Sequence, residues 1–122
     1  MAARRASLQS RGRPIASSRL GRYLAPDLSG TIRQLYVQDG HVRAVLTDGS
    51  WLVFMQQELG IDAQTLALRS NDGAVQFIAE QIKTWKARQD SQASLYEVDL
   101  NGTRIVATPA ALAHYDAILS RS

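Results

Sequence analysis

Cysteine is absent from this 122-residue chain. That excludes disulfides and thiolate metal sites and fits a reducing compartment. No apolar run approaches the ~20 residues that a bilayer-spanning helix needs. The N-terminus also lacks the continuous apolar core of a secretory signal. A membrane partner is therefore not expected. Histidine is scarce: His41 and His114 are the only two, and each reads as an ordinary surface or boundary residue rather than a metal ligand. There is no P-loop, GxGxxG, GxSxG or HExxH.

The acids show no catalytic couple either. Asp39 and Asp48 suit turns, Asp62 and Asp72 suit helix N-caps, and Asp99 suits a cross-strand pair with Arg104. Glu58, Glu80, Asp90, Glu97 and Asp116 have no spacing that suggests a general acid and base. The expectation is a non-enzymatic protein with no catalytic residue, metal or cofactor.

Acid is also missing from one end. The first 26 residues carry six arginines (Arg4, Arg5, Arg11, Arg13, Arg19 and Arg22) and no acid, while the other 96 carry eight basic and eleven acidic residues. A basic arm is thus joined to a mildly acidic body, which marks where a polyanion or an acidic surface would dock. Residues 1–28 read as the arm and 29–122 as one small domain. The arm is rich in Ser, Ala, Arg, Gly and Pro, and its apolar residues hold no helical period. In isolation it should be disordered.

The body opens with strand-like runs at 31–38, 41–47 and 50–55, split by Asp39-Gly40 and Asp48-Gly49. Each pair suits a two-residue hairpin turn with φ > 0 at both positions. Taken literally, these turns set Val37 against Val42, Leu35 against Ala44, Leu46 against Trp51, Ala44 against Val53 and Val42 against Met55, all on one face. The opposite face would carry Ile32, Gln34, Tyr36, Arg43, Val45, Leu52 and Phe54. Half of it is apolar, so either a helix or the arm covers it or it is a docking surface. Tyr36, Val45, Leu52 and Phe54 are the candidate interface residues.

Helical spacing then takes over. A short helix is expected at 62–69 and a longer one at 73–89, where Val75, Ile78, Ala79, Ile82 and Trp85 share a face. Phe77 projects from the other side, which suggests a sandwiched helix. Asn101-Gly102 closes a second hairpin that pairs Asp99 with Arg104 and gathers Tyr96, Val98, Leu100, Thr103, Ile105 and Ala107 on one face. Thr108-Pro109 starts the last helix, with Thr as N-cap and Pro at the first helical position. Leu112, Tyr115, Ile118 and Leu119 form its apolar stripe. The segment Phe54–Leu66, through its Leu59-Gly60-Ile61 turn, resembles part of a helix-turn-helix. Gln56 is bulky where that motif is usually small, and Trp51–Met55 reads as a strand end, so a loop and a capped short helix are expected instead.

The fold class is α+β: a three-stranded antiparallel meander, one long helix, a β-hairpin and a C-terminal helix, preceded by an extended basic arm. The expected role is a structural or adaptor component of a large assembly, virion or ribonucleoprotein-like, within a cell or particle. It would dock by the apolar sheet face and the arginine arm onto protein subunits or a second copy of itself. The alternative is a small nucleic-acid-binding protein acting through phosphate contacts of the arm. An Arg-rich, Ser-rich, acid-free start also suits a mitochondrial transit peptide, and a solvated tail is the plainest reading.

Overall fold

The structure, a computed structural model, describes residues 12–15, 31–62, 64, 71–89 and 95–120. The strands are β1 (Arg13–Pro14), β2 (Ile32–Gln38), β3 (His41–Leu46), β4 (Trp51–Met55), β5 (Tyr96–Leu100) and β6 (Thr103–Ala107). The helices are α1 (Gln56–Leu59), α2 (Asn71–Gln89) and α3 (Pro109–Ser120). The protein is α+β, and meander and hairpin join in one six-stranded sheet of order β1-β5-β6-β4-β3-β2. β4 and β6 run parallel, and the other neighbours run antiparallel.

Two of the three hairpin turns behave as their residues dictate. Asp39 and Gly40 have φ of 52° and 82°, and Asn101 and Gly102 have 54° and 87°. Paired positive φ values match the right-handed strand twist. The registers follow: Leu35 faces Ala44, Val37 faces Val42, and Asp99 faces Arg104.

The Asp48-Gly49 turn is different. Gly49 has φ 89°, but Asp48 stays at negative φ. The Gly49 N–H donates to the Leu46 carbonyl at 3.0 Å, and the Leu46 N–H donates to the Ser50 carbonyl at 2.8 Å. The Asp48 carboxylate accepts the Ser50 N–H at 2.8 Å. Thr47, Asp48 and Gly49 therefore form a longer loop, a turn followed by one left-handed residue. The register of β4 slips by one: Ala44 faces Leu52, Val42 faces Phe54, and Val45 faces Trp51. A slip of one residue reverses every side chain of a strand. The expected pairs of Leu46 with Trp51, Ala44 with Val53 and Val42 with Met55 are thus corrected. Ile32 also changes face, because the register shifts between Ile32 and Gln34.

Helices cover both faces. Under α2 lie Val42, Ala44, Leu46, Leu52, Phe54 and Val106, closed by Ile78, Ile82 and Trp85. Phe54 meets Trp85 edge-on, with ring centroids 5.1 Å apart. Under α3 lie Val53, Val98, Ile105 and Ala107, closed by Ala111, Leu112 and Tyr115. β4 is buried on both faces, which is why its sequence is uninterrupted Trp-Leu-Val-Phe-Met.

The helix ends have local causes. Thr108 caps α3 as expected, its hydroxyl accepting the Ala111 N–H at 3.2 Å. The same hydroxyl donates to Glu58 Oε1 at 2.6 Å, and that oxygen accepts the Met55 N–H at 2.9 Å. One carboxylate thereby ties the start of α1 to the start of α3. α1, which periodicity did not reveal, ends on Gly60 (φ 64°) with backbone bonds from Gly60 to Gln57 and from Ile61 to Gln56, the Schellman pattern. α2 begins at Asn71, so Asp72 sits in its first turn rather than at its cap. Phe77 is half-buried against the same core as the rest of α2. The expected helix at 62–69 lies mostly outside the described residues.

Residues 12–15, part of the expected arm, reach the sheet. Arg13 faces Glu97, Pro14 faces Tyr96, and the Ile15 N–H donates to the Leu95 carbonyl at 2.9 Å. Ile15 is buried in the α2-side core. Among the described residues, no helix is long and apolar enough to cross a membrane.

Candidate functional site

The site lies on the α3 side, where the helix covers β4, β6 and β5 and, among the described residues, nothing covers the β2–β3 end of the sheet. Pleat alternation puts Gln34, Tyr36, Arg43, Val45 and Trp51 there together. Tyr36, 37% accessible, is the exposed large hydrophobic among the described residues. The Arg43 guanidinium carbon lies 4.5 Å from the ring centroids of both Tyr36 and Trp51. Such a cation between two rings is held by quadrupole attraction as well as by packing of its stem. The Tyr36 hydroxyl donates to Gln34 Oε1 at 2.9 Å, which further fixes the ring.

Deeper along the same face the polarity becomes buried. His41, only 2% accessible, sits with its ring 5.2 Å from His114 and 4.9 Å from Tyr115 of α3. The Asp39-Gly40 turn lies beside this cluster. A Cβ on Gly40 would lie 4.0 Å from both His114 Cε1 and Met55 Cε, and the Gly40 carbonyl accepts the Gln56 N–H at 2.9 Å. Among the described residues, the buried side-chain nitrogens and oxygens without a hydrogen-bond partner are His41 Nδ1 and Nε2, Arg43 Nε, His114 Nε2 and Tyr115 Oη. All five belong to this one cluster. Leaving such an atom unpaired costs about 1–3 kcal/mol, and their concentration here makes the α3 interface more polar than the α2 one.

Electrostatics follow from that burial. Desolvation, the His114 ring and the Arg43 charge hold His41 below its ordinary value, with Asp39 opposing them. Desolvation pushes the Tyr115 hydroxyl up, and Arg43 opposes that through its charge and a polar contact that falls short of hydrogen-bond geometry. Among the described residues no group of three His, Asp or Glu is placed to hold a metal ion.

The expected interface set divides. Tyr36 and Val45 lie on the open face. Leu52 and Phe54 are 0% and 1% accessible in the core under α2, because of the slipped β4 register. They leave the candidate site, and Trp51 enters it. His41 is interior rather than a surface or boundary residue, packed against His114 and Tyr115 of α3, while His114 is half-buried, the boundary position expected of it. Of the six candidate arginines, Arg13 lies exposed on β1. Arg4, Arg5, Arg11, Arg19 and Arg22 lie outside the described residues. A signal for the register was present: the two-residue reading left an opposite face half apolar, whereas moving β4 by one places Leu52 and Phe54 beside Val42 and Ala44.

A concavity of about 820 Å³, open to solvent, lies at the β1–β5–β6 end. Its walls interleave Arg13, Glu97, Asp99 and Arg104, and Arg104 Nε stands 3.9 Å from Glu97 Oε2. Charges so mixed favour neither an anion nor a cation. No protein-family model matches the chain, and no curated protein or solved structure matches it.

Proposed function

We propose that the protein is a non-enzymatic adaptor or structural component of a larger assembly, which docks an acidic segment of a partner protein on the open sheet face at Tyr36, Arg43 and Trp51. The observation that carries this is the stacked arrangement, with Arg43 4.5 Å from both ring centroids. Tyr, Trp and Arg dominate the energetics of protein interfaces. Here they are already ordered against each other, which lowers the entropy lost on docking. The guanidinium supplies the charge complement for a carboxylate. The basic arm adds long-range attraction for the same acidic partner.

The test is calorimetric titration of the full chain with a Glu-rich peptide carrying one aromatic residue, beside a DNA and an RNA 20-mer, each at several salt concentrations. Variants Tyr36→Ser and a six-arginine replacement of the arm separate the two surfaces. Peptide binding that Tyr36→Ser weakens ten-fold or more supports docking on the sheet face. Binding of DNA or RNA alone, with a steep salt slope and no effect of Tyr36→Ser, refutes it and makes the arm a phosphate binder.

A further inference from the structure

The cluster beneath the open face has the makings of a latch. His41 and Arg43 come from β3, and His114 and Tyr115 from α3, so it spans the seam by which the C-terminal helix holds the sheet. Both His41 nitrogens are buried and neither meets a hydrogen-bond partner in good geometry, the Asp39 backbone beside the ring only partly favouring its charged form. Among the described residues, the acid acting on that ring is Asp39, in the exposed turn; from the other sides it meets Arg43, His114 and Tyr115. Met55, its strand neighbour, brings no charge. A neutral His41 suits this setting. A protonated one would place a buried cation beside the half-buried Arg43 charge, with no carboxylate in hydrogen-bond contact.

We propose that His41 is an acid-sensitive latch: proton binding to it on mild acidification loosens α3 from the sheet, in the range where histidine is the natural switch residue. The sign follows from linkage. Burial, His114 and Arg43 keep folded His41 below the 6.5 of the free side chain. The unfolded or undocked chain therefore binds the proton first. The contribution is full above pH 6.5 and is lost as pH falls from there toward the depressed folded value. One such group lowers the folding equilibrium constant by up to about ten-fold per pH unit in that window. This inference does not depend on the docking of an acidic partner.

The experiment is urea unfolding of the full chain and of His41→Phe between pH 7.5 and 5.5. The wild type is expected to lose stability below pH 6.5, while the variant, with a ring of similar shape and no titration, stays level. A level wild type, or a variant that falls in parallel, overturns the latch. Should His41→Phe fail to fold, NMR titration of the wild-type His41 ring decides the matter. A midpoint below 6.5, with α3 amides shifting in the same step, supports the latch. A midpoint at or above 6.5, or unmoved α3 amides, overturns it.

Discussion

The two faces of the sheet are built from the same strands yet hold their helices differently. Under α2 the contact is almost wholly apolar, with Phe54, Leu52, Ile78, Ile82 and Trp85 closed off from water. Under α3 a smaller apolar patch gives way to His41, Arg43, His114 and Tyr115, whose buried polar atoms lack partners. One face fixes the fold. The other is more polar, borders an aromatic-cation stack, and is where we place function. A natural chain departs from consistent local choices at sites that do something besides folding.

That contrast sets an order of effects. Phe54→Ala empties the α2-side core and is expected to cost about 3–5 kcal/mol in urea unfolding. A loss of only ~0.5 kcal/mol would place Phe54 on a surface after all. Thr108→Ala removes the cap of α3 and the hydroxyl that bonds Glu58, for an expected ~0.5–2 kcal/mol. Its loss should appear first as faster amide exchange in α3. Tyr36→Ser is expected to change stability by only ~0.5 kcal/mol while weakening partner binding. A large stability loss would make the stack a structural element. Smallest is Arg104→Gln, since its ion pair with Glu97 is open to solvent on the arginine side and loosely spaced at 3.9 Å. Thermal unfolding should register at most ~0.5 kcal/mol.

Much of the architecture was legible because short-range chemistry decided it. Asp39-Gly40 and Asn101-Gly102 fixed two registers, helical spacing marked α2, and Thr108-Pro109 marked the start of α3. The Asp48-Gly49 loop misled because Asp-Gly serves more than one turn geometry. Asp48 satisfies the Ser50 N–H with its own carboxylate, which holds the longer loop. A single residue of slip then exchanged Leu52 and Phe54 for Trp51 on the candidate face. Joining the hairpin to the meander by the parallel β4–β6 pair was not legible, since it is a contact between distant segments. The burial of His41 was hidden for the same reason: its neighbours His114 and Tyr115 stand more than seventy residues away in sequence. Strand β1 shows, further, that cutting the chain back to residue 29 would remove Ile15 from the core along with the arm. Substituting the arginines is the cleaner way to test the arm.

The most direct measurement of the contrast between faces is amide hydrogen exchange at pH 7.5 and 5.5, expressed as protection factors corrected for intrinsic rates. The account predicts that α3 loses protection at the lower pH while α2 and the strands beneath it keep theirs. Equal loss in α2 and α3, or none in either, would contradict it.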